Sequence, residues 1–184
     1  PENSVQVASA STSDVDGDSL TLSLSGNDAV KFSINQSTGA LTFTTAPNFE
    51  SPTDANVDNS YRVTVTVSDG TDQASQAVAV SVTDVNETPV ITAVNSAAPA
   101  SSGFTNVSAA EGQTSAFSVT ASDPESDSLS YSITGVDASL FSISSEGVVT
   151  FKSAPDFEIP LDSDGDNIYA MTVTAADAQY ADSV

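Results

Sequence analysis

The stretch Asp84-Val85-Asn86-Glu87-Thr88-Pro89 divides the sequence into two related halves. Three of its first four side chains, those of Asp84, Asn86 and Glu87, carry carboxylate or amide oxygens, and Pro89 ends the stretch with a fixed φ and no N–H group. Crowded oxygen donors on an extended linker suit Ca²⁺, which takes about six to eight oxygens, better than Zn²⁺, which prefers nitrogen and sulfur. An acidic solvated linker would have the same composition. The stretch therefore predicts a junction between two domains, with calcium binding as one of two interpretations.

The charge of the chain restricts its partners. The 184 residues include 25 acidic and only three basic side chains, which gives a net charge of −22 at pH 7. Such a field repels phosphate backbones and anionic membranes, so we expect cations as partners, no nucleic acid and no direct membrane insertion. Cysteine and histidine are absent, which removes disulfides, the commonest general base and the commonest transition-metal ligand.

Apolar and polar residues alternate along much of the chain. The alternation is clearest in three runs: Leu20, Leu22 and Leu24; Val63, Val65 and Val67; and Val78, Val80 and Val82. A period of two predicts half-buried β-strands. Ser37-Thr38-Gly39 separates two short apolar pairs and predicts a hairpin. Because no helical period is found, we expect an all-β protein.

Comparison of the chain with itself reveals two copies of one unit. Asp14 matches Asp123 at a shift of 109 (123 − 14), and Glu50 matches Glu158 at a shift of 108 (158 − 50). The one-residue slip falls in the hairpin turn that contains Gly39, and turns absorb such changes. The sequence is therefore a tandem repeat of about 108 residues.

Residues 1–88 form the first copy and residues 89–184 the second. A complete unit would have about seven short strands, which fits a Greek-key β-sandwich. The second copy begins with a strand-like stretch, Pro89 to Ala93, that the first copy lacks before Glu2, and it stops after Asp177 without a counterpart of Val78 to Val82. We expect two tandem Greek-key β-sandwich domains, the first lacking its initial strand and the second its final strand, cut from a longer array.

Acidic residues recur in both copies at predicted strand ends. The matching pairs are Glu2 and Glu111, Asp14 and Asp123, Glu50 and Glu158, and Asp69 and Asp177. A solvated strand end can use Ser, Lys, Asn or Gln equally well, so the recurrence favours metal binding, with shared descent of the copies as the alternative. In a sandwich, acids from distant positions would converge on the two ends of each domain.

These residues resemble the extracellular cadherin repeat, in particular its bacterial relatives in large surface adhesins. The linker from Asp84 to Pro89 resembles the inter-repeat Asp-x-Asn-Asp-Asn-x-Pro signature, although it is shorter and has Glu87 in place of an Asp. Four other segments resemble family motifs: Pro1-Glu2-Asn3 the opening of a repeat, Asn48-Phe49-Glu50 and Asp156-Phe157-Glu158 the Asp-Arg-Glu motif, and Asp123-Pro124-Glu125 the Asp-x-Asp motif. Asn48 and Glu125 each replace an expected Asp.

The resemblance implies a cadherin-like or Ig-like fold and Ca²⁺ as the cofactor. The ligands that it implies at the junction are Glu2, Glu50 and Asp84 from the first copy, Val85 (through its carbonyl), Asn86 and Glu87 from the linker, and Asp123, Glu125 and Asp177 from the second copy. It places Asp14, Asp16 and Asp69 at one outer end and Glu111, Asp156 and Glu158 at the other. The adjoining linkers are not in this sequence, so we expect weaker, more hydrated sites there.

The function implied by the resemblance is structural and adhesive. Junction Ca²⁺ would rigidify an extracellular stalk of a bacterial cell-surface adhesin, with neighbouring repeats as partners and a cell-surface protein or glycan as a further partner. The first alternative is a peptide-binding or glycan-binding module, which a concave aromatic surface would favour. The second is a glycosidase, which needs two acids flanking a cleft. A two-layer sandwich offers no deep cleft, so we expect no enzyme.

The acidic loop from Asp162 to Asn167 resembles the start of an EF-hand. An EF-hand needs Gly at the sixth position and Glu at the twelfth, where this sequence has Asn167 and Val173. The sequence therefore predicts a solvated turn, with an extra weak Ca²⁺ as the alternative.

Overall fold

The computed structural model describes residues 1–101 and 104–184. In these residues the regular structure is β-sheet, apart from two three-residue 3₁₀ helices, Ala29–Lys31 and Ala138–Leu140. The chain divides into two compact units, Pro1–Val85 and Asn86–Val184, which we call repeat 1 and repeat 2. This division lies shortly before the predicted boundary after residue 88, which stays a prediction.

Repeat 1 consists of two antiparallel sheets. Its strands are β1 (Gln6–Ser9), β2 (Thr21–Ser25), β3 (Phe32–Ile34), β4 (Ala40–Phe43), β5 (Ser60–Ser68) and β6 (Gln73–Ser81). One sheet has the order β1-β4-β3 and the other the order β2-β5-β6. The ladder between β5 and β6 runs without interruption from the pair Ser60 and Ser81 to the pair Ser68 and Gln73.

Repeat 2 has the same plan with a different set of edge strands. Its strands are β7 (Val90–Val94), β8 (Ser115–Ser122), β9 (Ser130–Thr134), β10 (Phe141–Ile143), β11 (Val148–Phe151), β12 (Thr172–Ala176) and β13 (Ala181–Ser183). The sheets have the orders β10-β11-β8-β7 and β13-β12-β9.

The predicted fold of two all-β sandwich domains is confirmed, with one refinement. Strand β7 pairs with β8, and the described residues of repeat 1 form no counterpart of β7. The described residues of repeat 2 include a final strand, β13, which pairs with β12 as β6 pairs with β5. Thr174 pairs with Ser183 in the same register as Thr66 with Ser75 in repeat 1.

Each core is built around three aromatic rings at matching positions. The two triads are Phe32, Phe43 and Tyr61 in repeat 1, and Phe141, Phe151 and Tyr169 in repeat 2. Ring centroids lie between 4.4 and 6.2 Å apart, in the range where stacked and edge-to-face pairs are favourable. The alternating apolar residues of the strands, such as Leu22 and Val63, are buried as predicted.

The hairpin between β3 and β4 explains the one-residue slip between the copies. Its predicted pairing is confirmed, since Phe32 lies opposite Phe43. In repeat 1 the N–H of Gly39 bonds to the carbonyl of Asn35, whereas in repeat 2 that of Gly147 bonds to the nearer Ser144. Gly39 has a φ of +67° and a Cβ there would lie 2.0 Å from the Ala10 carbonyl oxygen. Only glycine therefore fits this turn.

Candidate metal centres

Glu2 is a buried carboxylate held by backbone amides of repeat 1. Its side chain is only 2% exposed. Its two oxygens accept hydrogen bonds from the N–H groups of Phe49 and Val85, both at 2.9 Å. Its own N–H donates to the Thr83 carbonyl oxygen. These bonds fix the start of the chain against both the loop around Phe49 and the linker, because hydrogen bonds from N–H groups stabilise a buried anion.

Two further acids lie beside Glu2. Carboxylate oxygens of Glu50 and Glu2 lie within 4.8 Å of each other. Carboxylate oxygens of Glu50 and Asp84 also lie within 4.8 Å of each other. Asn48, which stands where the family motif has Asp, accepts the N–H of Ser51 at 2.6 Å and so still organises this turn. The three acids that the sequence predicted as ligands from the first copy are therefore neighbours. Their charges repel one another, and a divalent cation is the natural counter-ion.

The matching residues of repeat 2 form the same arrangement. Glu111, Asp156 and Glu158 each place a carboxylate oxygen within 4.8 Å of the other two. The Glu111 carboxylate accepts the N–H of Phe157 at 2.9 Å, as that of Glu2 does from Phe49. All three acids are exposed, whereas Glu2 is buried. This predicted outer set is thus brought together, and solvent reaches it more freely.

The linker residues Asn86 and Glu87 contact acids of repeat 2. The Asn86 side-chain amide donates to the Asp177 carboxylate at 2.8 Å. The Glu87 N–H donates to a Glu125 carboxylate oxygen at 3.0 Å. Asp123 belongs to the same predicted ligand set. Its Oδ1 accepts the N–H of Asp127 at 2.9 Å, and this hydrogen bond shapes the loop after β8.

The acids at the ends of β5 and β12 occupy identical turns. Asp177 and its counterpart Asp69 each accept the N–H groups two and three residues ahead. The Asn86 amide, followed by the Tyr180 N–H, holds the pKa of Asp177 below the ordinary value of 3.8. The pKa of Asp69 is also lowered below 3.8, and the hydrogen bond from the Asp72 N–H is the largest cause. Both carboxylates are therefore ionised at neutral pH, as a metal ligand must be.

The third predicted set, Asp14, Asp16 and Asp69, lies in loops of repeat 1, and its role in metal binding stays a prediction. Asp14 accepts the N–H groups of Asp16 and Asp18 at 2.9 and 3.0 Å, as Asp123 does from Asp127. Among the residues that the structure describes, Asp14, Asp16 and Asp69 do not form a cluster of three acids. Asp14 thus organises its own loop.

Two carboxylate oxygens of repeat 2 stand out because nothing donates to them. Asp123 Oδ2 and Glu125 Oε1 are buried without a hydrogen-bond partner among the described residues. Buried polar atoms are paired in the great majority of native structures, and an unpaired anionic oxygen is costly. A donor set of carboxylate and amide oxygens without nitrogen or sulfur fits Ca²⁺. Asp123, Glu125, Asp177 and Asn86 are the residues of repeat 2 that would hold it.

The loop from Asp162 to Asn167 forms a separate acidic cluster. Carboxylate oxygens of Asp162, Asp164 and Asp166 lie within 4.8 Å of one another. Asp162 is buried and accepts the N–H groups of Asp166 and Asn167 at 2.9 and 3.2 Å. Asp54, the matching residue of repeat 1, organises its turn in the same way. Asp162 therefore has a structural role in this turn.

Two buried acids escaped the sequence analysis. Asp28 and Asp137 are each 2% exposed and match at a shift of 109 (137 − 28). Asp28 accepts the N–H groups of Ala55 and Arg62, both at 2.7 Å, and Asp137 accepts the two matching N–H groups at 2.8 and 2.7 Å. The self-comparison could have found this pair, but the backbone donors that define its role are distant in sequence.

Antiparallel sandwiches in tandem, with acids gathered in their loops, are the architecture of Ig-like repeats. Residues 1–83 match the family model described as a bacterial Ig domain. Together with the structural similarities below, this match shows that the chain has the fold of Ig-like, cadherin-like repeats. The comparison with curated protein sequences gives no significant match.

Cadherin structures share the fold. A crystal structure of human protocadherin-24 EC1-2 (form II) has a TM-score of 0.54 and 24% identity, over 96% of this chain and 79% of that chain. Another structure of human protocadherin-24 EC1-2 has a TM-score of 0.52 and 25% identity, over 95% and 77%. Drosophila N-cadherin EC1-4 has a TM-score of 0.55 and 22% identity, over 100% and 44%. No helix in the described residues is long and apolar enough to cross a membrane.

Proposed function

We propose that this chain is a calcium-binding structural and adhesion module of a bacterial cell-surface adhesin, in which Ca²⁺ stiffens a stalk of tandem repeats. The observation that carries the proposal is the pair of buried, unpartnered oxygens on Asp123 and Glu125. The recurrence of one acidic arrangement around Glu2 and around Glu111 supports it. The cadherin-like fold agrees with it.

The mechanism is electrostatic. With a net charge of −22, the acids of the linker and of each repeat repel one another, and this repulsion keeps the joint between the repeats loose. A bound divalent cation neutralises this charge. Asn86 and Asp177 are already joined by a hydrogen bond, so part of the ligand set is preorganised. The resemblance to cadherin repeats further implies that ligands of both repeats share ions, and this sharing is part of the proposal.

The test is the calcium dependence of thermal unfolding. A cation bound only by the folded state adds about 2.7 kcal/mol per site at a free concentration about 100-fold above its Kd. Because extracellular calcium modules generally bind at about 10⁻⁴–10⁻³ M, Ca²⁺ at about 10 mM would be about 10- to 100-fold above the Kd. Since 1 kcal/mol shifts the melting temperature of a domain of this size by about 4–8 °C, this concentration should raise Tm by about 10 °C over chelator. Calorimetry of the unfolding transition with Ca²⁺ and with chelator measures this shift.

The substitution Asp123→Asn isolates the site. It should remove most of the Ca²⁺-dependent gain in Tm, since it neutralises a carboxylate that has a buried, unpartnered oxygen. Asp127→Asn is the matched control, because Asp127 is an exposed acid of the same loop whose N–H, not its side chain, contacts Asp123. Equal Tm gains in both variants and the parent protein would disprove a calcium site at Asp123.

A peptide-binding or glycan-binding module is the second candidate function. The observation in its favour is a concave apolar groove in repeat 2, lined by Phe117, Phe157, Met171 and Ile168 among others. Aromatic groove walls of this kind suit a ligand better than a stalk. The two functions are compatible within one adhesin.

We propose no enzymatic activity. The family and fold found are those of structural domains. A glycosidase would need two carboxylates placed on either side of a bound sugar, and an assay for glycan turnover tests this directly.

A further inference from the structure

Strand β2 of repeat 1 is an edge strand whose outer side is covered by one side chain. Gln36, in the turn between β3 and β4, donates from its amide nitrogen to the Leu22 carbonyl oxygen at 2.7 Å and accepts the Leu22 N–H at 2.8 Å. Its amide thus makes the two hydrogen bonds that a residue of a neighbouring antiparallel strand would make. Because the sheet has the order β2-β5-β6, Gln36 caps the side of β2 that another chain could otherwise reach.

The matching strand β9 of repeat 2 has no such cap. Tyr131 is the counterpart of Leu22, since both strands pair with the central strand of their sheet in the same register. The N–H and carbonyl groups of Tyr131, and by the period of two those of Ile133, therefore point away from β12. Among the residues that the structure describes, no side chain forms a hydrogen bond with these groups, so this side of β9 is an open edge.

The difference between the two strands comes from the adjoining hairpin. The turn between β10 and β11 is one residue shorter than its counterpart, and its polar side chains bond within the turn. The Ser144 hydroxyl accepts the Glu146 N–H at 3.1 Å, and the Ser145 hydroxyl donates to the Glu146 carboxylate at 3.3 Å. A Cβ on Gly147 would lie 3.4 Å from a ring carbon of Tyr131. The turn therefore lies beside β9 without capping it.

Strand β9 also has none of the features that usually protect an edge. Its sequence, residues 130–134, contains no charged residue and no proline, and its ladder with β12 has no bulge. The side chains of Tyr131 and Ile133 pack against the core of repeat 2, which holds the strand in place. The open edge lies on the opposite side of the sheet from β13.

The surroundings of this edge are acidic. Glu146, in the adjoining turn, and Asp127, three residues before β9, are both exposed. The hydroxyl of Ser144, followed by that of Ser145, holds the pKa of Glu146 below the ordinary value of 4.5, so Glu146 is ionised at neutral pH. A second copy of this chain, with its own net charge of −22, would be repelled, whereas a basic segment would be attracted.

We propose that the open side of β9 binds an extended segment of a basic polypeptide, which adds to repeat 2 as a further strand. Main-chain hydrogen bonds to Tyr131 and Ile133 give affinity, and Lys or Arg side chains that reach Glu146 select a basic sequence. Gln36 excludes the same partner from repeat 1. Neither β9 nor Glu146 belongs to the proposed calcium sites, so this binding adds to the proposed calcium-dependent function.

A synthetic peptide, Lys-Thr-Val-Thr-Val-Thr-Lys with both ends blocked, tests the proposal on the full chain with chelator. It should shift the backbone NMR signals of residues 130–134 and 144–147, while those of β2 stay unchanged. The same peptide with N-methyl groups on its five central amides keeps its charge but cannot donate main-chain hydrogen bonds, and it should bind at least about tenfold more weakly. Equal binding of the two peptides, or signal changes away from β9, would overturn strand addition.

The charge preference is tested on both partners. A peptide with Glu in place of both Lys residues should bind more weakly than the basic peptide. Glu146→Gln should weaken binding of the basic peptide by about two- to fivefold, the effect of losing one exposed ion pair. Asp72→Asn, at an exposed acid of repeat 1, is the control for net charge. Tighter or equal binding of the acidic peptide, or equal binding by the two variants, would overturn the basic partner.

A hairpin graft tests the same edge from the protein side. Replacing residues 144–147 with the sequence of residues 35–39 brings a glutamine to the position that caps β2, and should weaken peptide binding at least about tenfold. Changing that glutamine to alanine within the graft should restore binding, which separates capping from any effect of the graft on folding. A graft that binds the peptide as the parent protein does would overturn the proposal. A dimer that forms through β9 in the parent protein, detected by sedimentation and lost in the graft, would show that a second copy occupies the edge and would also overturn it.

Discussion

Asp164 has an environment unlike that of the other acids in its loop. Its hydrogen bond with the Asp162 carboxylate, together with the charge of Asp166, raises the pKa of Asp164 above the ordinary value of 3.8. Burial also acts to raise the pKa of Asp162, but hydrogen bonds led by the Asp166 N–H outweigh it, so that this pKa is lowered. A carboxylate whose pKa is raised on folding is ionised at neutral pH at a cost in stability, and this cost disappears as the pH falls through the raised value.

The substitution Asp164→Asn should therefore stabilise repeat 2 at pH 7 in chelator. Its effect should vanish near pH 3, where Asp164 is protonated in the parent protein as well. Asp162 stabilises the fold above pH 3.8 and loses this effect as the pH falls through its lowered pKa. Because the hydrogen bond with Asp164 is one of the contacts that lower the pKa of Asp162, the comparison between pH 7 and pH 3 reports on the two carboxylates together. Urea unfolding at pH 7 and pH 3 measures the difference, with Asp127→Asn as a control for the change in net charge. A destabilised variant at pH 7 would contradict the assignment of the raised pKa.

Recurrence of an acid in both copies turns out to have more than one cause. Asp54 and Asp162 accept N–H groups of their own turns, and Asp28 and Asp137 are buried acceptors of distant N–H groups. Sequence comparison cannot separate such structural acids from metal ligands, because both are retained. The unpartnered oxygens of Asp123 and Glu125 provide the distinction that the sequence lacks.

Among elements, strands with clear alternation were predictable and partial strands were not. The runs around Leu22, Val63 and Val80 lie in β2, β5 and β6, since a period of two fixes which face is buried. The hairpin of β3 and β4 followed from turn residues whose conformational preferences are local. Strand β13 carries no alternating apolar pattern, and it forms because β12 offers an edge in the register seen in repeat 1.

Asp28 joins three elements, so its removal should destabilise repeat 1. It precedes the first 3₁₀ helix. Its carboxylate accepts the N–H of Ala55, in the loop between β4 and β5, and the N–H of Arg62 in β5. Asp28→Ala leaves both donors without an acceptor in a buried place, which costs about 1–3 kcal/mol for each. We expect the free energy of unfolding of repeat 1 to fall by about 2–6 kcal/mol. Urea unfolding in chelator measures it, and Asp72→Ala, at an exposed acid of the same repeat, should have little effect. Equal midpoints for the two variants would contradict this role.

At the scale of the whole molecule, the proposed function depends on the net charge and on the linker. The chain has only three basic side chains to balance 25 acids, so charge neutralisation depends on cations from solution. Extracellular calcium modules generally bind at about 10⁻⁴–10⁻³ M, which predicts a joint that is stiff at millimolar Ca²⁺ and loose well below it.

The substitution Glu87→Ala tests the joint without disturbing either core. The Glu87 N–H, which donates to Glu125, remains in the variant, so the linker backbone keeps this contact while one proposed ligand is lost. Each repeat should unfold as in the parent protein in chelator. In millimolar Ca²⁺, small-angle scattering should show a broader distribution of inter-repeat angles for Glu87→Ala, and likewise for Asp123→Ala. Glu146→Ala removes an equal charge from an exposed turn of repeat 2 and should leave the Ca²⁺-dependent profile unchanged. If Glu87→Ala and Asp123→Ala also keep that profile, the residues from Asp84 to Pro89 form an ordinary acidic linker.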